Sequence, residues 1–170
     1  MTQFKRSTHT KQWNSTYGIH KIIVNCCLGE EMSNPKTARH LSGQFRVITG
    51  QIPALTRAKK AIANFKVRKD MALGQKTTLR GEKMESFVRK LVHLVLPRVR
   101  DFQGLPMKSF DGSGNYSFGL ADQSVFAELE TVYKAQDLQD AYGFTITVVT
   151  VAEKDPEGKA ILKKYGFPFA

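Results

Sequence analysis

Nearly all the net charge of this chain sits in one stretch. Between Arg57 and Lys108, fourteen Lys or Arg face four acids (Asp70, Glu82, Glu85 and Asp101), which is +10 of a total of +11. The other residues hold twelve basic and eleven acidic side chains and are close to neutral. An unpaired cation is too costly to bury, so this window's cations are expected at the surface, with the positive field concentrated on the part of it that the window occupies. A positive field of that density attracts polyphosphate.

With 170 residues, one domain is expected, burying roughly 70% of the surface of the unfolded chain. An apolar content of 41% with eleven Phe supplies its core and excludes a wholly disordered basic tail. The division read from the chain is a polar basic arm over residues 1–17 and a single α+β domain over 18–170. No run approaches the roughly twenty apolar residues that span a bilayer. The first residues, MTQFKRSTHTKQWNSTYG, lack the apolar stretch and cleavage site of a secretory signal, so a soluble intracellular protein is expected. They are basic, rich in Ser and Thr and free of acids up to Glu30, as a transit peptide would be, but they run straight into a strand.

The only cysteines, Cys26 and Cys27, are adjacent in a strand-like run and point to opposite faces. Neither a disulfide nor a zinc site is expected of them, and buried apolar packing is the plain reading. The run itself, His20 to Cys27, is β-branched and apolar, and Gly29-Glu30-Glu31 closes it. Ser33-Asn34-Pro35 reads as a helix cap, with Ala38, Leu41, Phe45 and Ile48 at helical spacing before Gly50.

Ala54 to Lys60 and Lys76 to Arg80 read as two strands joined by a basic, Gly-bearing loop. Beyond Gly81 comes a helix whose apolar stripe is Met84, Phe87, Val88, Leu91, Val92 and Val95, ended by Pro97, with Lys83, Arg89, Lys90 and His93 opposite. The stretch from Arg98 to Gly119 is rich in glycine and aromatics, with a short strand at Asn115 to Phe118. Phe144 to Ala152 is the clearest strand, and Asp155-Pro156 starts a last helix that Gly166 ends. The order is β, α, β, β, α, β, β, α. Several neighbouring strands are joined too briefly for a crossover helix, so an antiparallel or mixed sheet with helices gathered on one face, a two-layer α+β sandwich, is expected. Asp137 to Asp140 reads as a local turn.

Within TRAKKAIANFKVRKDMALGQKTTLRG, Thr56 to Gly81, the cations Arg57, Lys59, Lys60, Lys66, Arg68, Lys69, Lys76 and Arg80 accompany a single acid, Asp70, and Thr56, Asn64, Thr77, Thr78 and two glycines. Lys and Arg neutralise phosphate, while hydroxyls, amides and exposed backbone N–H groups position it without reading bases. A basic face that merely keeps the protein soluble is the bland alternative, but such a cluster repels itself without a polyanion. Phe65 lies in this loop, and Phe102, Phe110, Tyr116 and Phe118 lie in the later one. Anchoring of the loops to the core is the favoured reading of these rings, since stacking matters only at unpaired bases.

A hydrolytic site would need converging carboxylates. Glu82, Glu85, Asp101 and Asp111, with His93, are the candidates near the basic region, and Glu82 and Glu85 are already accounted for by the helix N-terminus they occupy. His9, His20 and His40 have no ligand spacing, and no nucleophile elbow or phosphate-binding loop motif is present. Gly112 and Gly114 lack the third glycine of a dinucleotide fingerprint.

The block ITGQIPALTRAKKAIANFKVRKDMALGQKTTLRGEKM, followed by LPRVRDFQG, KSFDGSGNYSFG and a final YGFPF, closely resembles a universal ribosomal protein family of the large subunit's central protuberance. This is the fifth large-subunit protein in the bacterial scheme, which binds 5S rRNA, and the likeness runs from Ile19 to Phe169. The resemblance implies a non-enzymatic α+β protein, with no cofactor or metal, that docks 5S rRNA and contacts a nearby hairpin of the large-subunit rRNA beside other central-protuberance proteins. It implies that the loop from Phe65 to Gly74 reaches the peptidyl-site tRNA through Lys66, Arg68 and Lys69, and that a separate surface meets a small-subunit head protein. By the same resemblance Thr56, Arg57, Lys59 and Lys60 belong to an rRNA-facing strand region, with Lys76 and Arg80 close by. Arg98, Arg100, Lys108, Ser109, Asn115 and Tyr116 are further RNA-contact candidates.

The chain also departs from the family pattern. Bacterial and plastid members begin with a longer helical segment that ends in a proline before strand one, where this chain has an unrelated polar arm. Cys26-Cys27 stands where Met-Gly or Arg-Gly is usual, and VFAELET stands where a run like IFPEIDYD is common. That drift resembles a mitochondrial member, so a ribosome of the mitochondrial matrix is expected, with a bacterial or plastid one as the alternative. The other function classes are an RNA-processing enzyme, which needs two of the carboxylates above to converge in a cleft, and a free RNA chaperone using the same basic surface.

Overall fold

A computed structural model of the chain describes residues 18–29, 32, 34–133 and 142–170. The arm over residues 1–17 and the turn expected at Asp137 to Asp140 lie outside the described residues. The element order is β1 (Ile19–Cys27), α1 (Pro35–Thr49), β2 (Ala54–Arg57), β3 (Ala72–Leu79), α2 (Gly81–Lys90), β4 (Tyr116–Leu120), α3 (Ala127–Val132), β5 (Phe144–Thr150) and α4 (Asp155–Lys164). The strands form one sheet in the order β2-β3-β1-β5-β4, and every neighbouring pair is antiparallel. The α+β class expected from the short connections is the one observed.

Alternation decides which side of the sheet is covered. Ile22, Val24 and Cys26 of β1, Leu79 of β3, Phe144, Ile146 and Val148 of β5, and Tyr116, Phe118 and Leu120 of β4 are all buried. The helices lie on this side. Helix α1 starts where Asn34 Oδ1 accepts the Lys36 N–H (3.0 Å) with Pro35 in the first turn, and stops where Gly50, at φ 66, donates to the Arg46 carbonyl. Its Leu41, Phe45 and Ile48 are buried, Phe45 packs edge-on against Phe144, and Gln75 of β3 donates to Ala38 O and Ser42 Oγ, both at 2.8 Å.

Three expectations need correction. The strand expected over Ala54 to Lys60 leaves the sheet after Arg57, because the β2–β3 register slips between Thr56 and Arg57, and its partner begins at Ala72 rather than Lys76. The single helix expected up to Pro97 is α-helical only to Lys90. Leu91–Val95 then form a wider π turn, closed by the Leu96 N–H on the Leu91 carbonyl, and Leu96–Arg98 a 3₁₀ turn. Pro97 lacks an N–H and would crowd the carbonyl of His93, so an α-helical pitch cannot continue into it.

The third correction is α3, which no sequence signal announces and which alters the charge map. Its Glu128 pairs with Lys90 (3.0 Å) and its Glu130 with Arg98 (2.8 Å). Lys90, expected on the exposed face of its helix, is instead half-buried and also donates to the Ile48 carbonyl.

The two thiols separate as the alternation of β1 requires. Cys26 is buried, and its pKa is pushed up to about 11, first by burial and then by the neighbouring Cys27. Cys27, expected to be buried like its neighbour, is instead exposed on the other face, its Sγ 3.3 Å from the Leu73 carbonyl. A thiol reagent added to native protein is expected to modify Cys27 alone, with Cys26 reacting only in denaturant. Mass spectrometry showing native modification of Cys26 would mean that the facing of β1 is misassigned.

Candidate nucleic-acid interface

The face of the sheet turned away from the helices is polar and basic. Asn25 of β1 lies opposite Lys76 on one side and Thr145 on the other, and Thr145 lies opposite Gly119. In the next row Ile23 lies between Thr78 and Thr147, whose hydroxyl is 2.9 Å from that of Ser117. Towards the hairpin, Thr56 faces Gly74, which faces Cys27. The five strands contain no Asp or Glu at all. Gly74 is forced by the fold: a Cβ there would stand 2.5 Å from the Cys26 carbonyl oxygen and 3.0 Å from Cys27 Cα.

Beyond the sheet edge, the chain between β2 and β3 is an ordered extension of their hairpin. The Ala58 N–H donates to Met71 O (2.9 Å) and the Asp70 N–H to Ala58 O (3.0 Å). Further out, Ile62 and Val67 exchange two backbone hydrogen bonds of 2.9 and 3.1 Å. The tip, Ala63–Phe65, is a 3₁₀ turn closed by the Lys66 N–H on the Ala63 carbonyl. Lys66 (φ 52) and Asp70 (φ 64) take the left-handed conformation, which costs a non-glycine residue about 1–2 kcal/mol. Arg57 spans the base of the extension, its Nη1 donating to the Asp70 carbonyl at 2.9 Å.

The sequence-derived residues now separate. Thr56 and Lys76 lie on the open face, Arg57 braces the hairpin, Lys59 and Lys60 are exposed beside its base, and Arg80 is exposed at the other end of β3, where α2 starts. Lys66, Arg68 and Lys69 are exposed towards the tip. The second group lies by β4, four strand positions from β2, or about 19 Å at the usual strand spacing. There Arg98 is paired with Glu130, and Arg100 helps the Ser124 N–H, the larger cause, to hold the Asp122 carboxyl below its ordinary range. Lys108 is exposed and Ser109 half-buried.

Asn115 is engaged at both ends. Its Nδ2 donates to Asp111 Oδ2 (2.8 Å) and its Oδ1 accepts the Thr150 N–H (3.2 Å). That bond to Asn115, followed by the Ser113 N–H, lowers the pKa of Asp111. Tyr116 is a correction: its side chain is 0% exposed and its hydroxyl donates to the Pro106 carbonyl at 2.9 Å, so it is a core residue rather than an RNA contact. Phe65 is the opposite correction. Expected to anchor its loop, it is instead 73% exposed, the least buried of the large apolar side chains described. Phe102 and Phe110 pack against the core and Phe118 is within it, as expected of anchors.

The reading of the sequence missed Asn25, Thr145 and Thr147. Their signal is a polar residue at every second position of otherwise apolar strands, which a strand buried on both faces would not show. Of the carboxylates a nuclease would need, Glu82 and Glu85 stand in the first turns of α2 and Asp111 closes a turn with Ser113. None of the four lines the concavities found beside the hairpin, beneath β4 or at the end of β1. Among the described residues no group of His, Cys, Asp and Glu is arranged to hold a metal ion, and no helix is long and apolar enough to cross a membrane.

Comparison with known proteins meets this geometry along nearly the whole chain. Residues 16–68 match the family described as ribosomal protein L5, and residues 72–169 match the family described as the C-terminus of the same ribosomal protein. The boundary falls in the β2–β3 hairpin, and because β1 and β2 both bond to β3, the two matched segments share one sheet. The large ribosomal subunit protein uL5 of Fusobacterium nucleatum is 48% identical over 151 residues, covering 89% of this chain and 80% of that protein. The uL5 protein of Streptococcus thermophilus is 45% identical over 152 residues, covering 89% of this chain and 82% of its own. With an acid-free strand face, a basic hairpin and likeness at this level over most of its length, the chain belongs to the ribosomal protein L5 family, non-enzymatic structural proteins of the large ribosomal subunit.

Proposed function

We propose that this protein holds 5S rRNA and adjacent large-subunit rRNA in the central protuberance, through the open face of its sheet and the base of its β2–β3 hairpin. The observation that carries this reading is the acid-free face itself, where Lys76, Asn25, Thr78 and Thr56 present a cation, an amide and two hydroxyls. Lys59, Lys60 and Arg80 border it, and Arg57 keeps the hairpin in place. Such a surface suits a sugar–phosphate backbone, which is positioned by charge and hydroxyl contacts rather than read by base edges.

Lys66, Arg68 and Lys69, held out on the ordered extension, face the peptidyl-site tRNA in this reading. A further surface contacts a small-subunit head protein and neighbouring central-protuberance proteins, a role supported by the family resemblance alone. Arg100 and Lys108 belong to a second, smaller RNA contact near β4. The host is a bacterial-type large subunit, as in the relatives compared. A mitochondrial matrix ribosome has only the drift at Cys26-Cys27 and at residues 125–131 behind it.

The test is binding of the full chain to a 5S rRNA transcript. Lys60→Ala and Lys76→Ala are each expected to weaken binding and to reduce its salt slope by about one, with no change in melting temperature. Unchanged affinity in both variants would remove the sheet face from the interface.

A further inference from the structure

Resting on the reading of the hairpin as an RNA-facing element, we propose that Phe65 is a stacking residue, its ring lying flat on an unpaired nucleobase of the RNA that Lys66, Arg68 and Lys69 hold. The first support is exposure. Phe65 is 73% exposed, although a buried ring of its size is worth far more to a fold than one left in water. The second is that the hairpin does not need it. The tip is closed by backbone bonds between Ile62 and Val67 and from Lys66 to Ala63, and Arg57 fixes the base, so the loop's closure rests on groups other than this ring.

The third support is its setting. Lys66 follows it directly, Arg68 and Lys69 stand close by in the chain, and neither ion pair found among the described residues involves any of them. An open concavity beside the tip is lined by Lys66 and Arg68 but not by Phe65, so these two cations also face a space that the ring does not fill. An aromatic face flanked by cations matches a base flanked by phosphates, and it is tolerant of sequence because every base has a ring face. A duplex would offer no such face along its length. The ring is held out on a pre-shaped turn, so little ordering opposes the contact.

The experiment uses the full chain with Phe65→Ala, Phe65→Leu and Phe65→Trp, and separately Lys66→Ala with Arg68→Ala. The probes are an RNA hairpin carrying 2-aminopurine in its loop and a blunt RNA duplex of the same length. Loss of stacking should weaken hairpin binding about five- to 150-fold in the Ala and Leu variants, while the Phe65→Trp variant retains it. The 2-aminopurine fluorescence should be quenched by the wild-type protein and by the Phe65→Trp variant only, and duplex binding should be equal for all three variants. The melting temperature should move little, since most of the ring is already in water.

If the charge variant weakens both probes while Phe65→Ala matches wild type on the hairpin, the stacking proposal is wrong and the RNA reading stands. If the charge variant changes neither probe, the RNA reading of the hairpin falls with it. A Leu variant that binds the hairpin like wild type would indicate simple apolar contact and would overturn stacking.

Discussion

Binding of the full chain to 5S rRNA is expected to fall about a thousandfold between 50 and 200 mM salt, because about six phosphate contacts give a log–log slope near −5. The six are to be found among the exposed cations of the hairpin and its surroundings, namely Arg57, Lys59, Lys60, Lys66, Arg68, Lys69, Lys76 and Arg80. The structure makes the prediction sharper than charge alone could. Arg98 already has a carboxylate at 2.8 Å and Lys90 one at 3.0 Å. Each carboxylate already neutralises the cation beside it, so neither side chain is counted among the phosphate contacts that set the slope. Arg98→Ala should therefore leave the slope near its wild-type value while Lys60→Ala lowers it by about one. A flat salt response would exclude a phosphate-dominated interface, and equal slopes lost in the two variants would show that the Arg98–Glu130 pair does not survive on RNA.

That contrast shows where the chain could be read in advance and where it could not. The caps of α1 and the alternation of β1 and β5 are local signals, so Asn34-Pro35, Gly50 and the run from Phe144 foretold their elements nearly to the residue. Helix α3, of six residues, is under two turns and has no side-chain cap, so no stripe announces it. Its acids nevertheless decide which cations of the basic window remain available. The window itself is one block in sequence and two regions in space, because β1 and β5 lie between β3 and β4.

Aromatic residues in glycine-rich or basic loops look alike on paper. Whether such a ring is buried, as Tyr116 is, or exposed, as Phe65 is, depends on what the rest of the fold brings to it. Tyr116 meets Phe110, Phe118 and Phe169, whereas the hairpin leaves Phe65 73% exposed. The open face was recoverable from the polar residues at alternate strand positions, but which strands would sit side by side was not.

Leu91→Ala is expected to cost about 2–5 kcal/mol of stability, whereas Leu94→Ala, three residues on, should lie within about 0.5 kcal/mol of wild type. On a continuous α-helix, residues three apart share a face, so both leucines would point into the core. The π turn over Leu91–Val95 changes this. Its wider pitch keeps Leu91, Val92 and Val95 buried and turns Leu94 outward, leaving it 56% exposed. Removal of the Leu91 side chain leaves a void among packed neighbours that cannot fully close, so the lost burial and the cavity add. Truncation of Leu94 only uncovers what water already reaches. Thermal unfolding of the two variants separates these cases, with a fall of roughly 5–15 °C expected for Leu91→Ala if each kcal/mol is worth about 2–4 °C in a chain of this size. Comparable losses from the two leucines would mean that the helix runs on in α form to Pro97, and that the surface beside His93 is core after all.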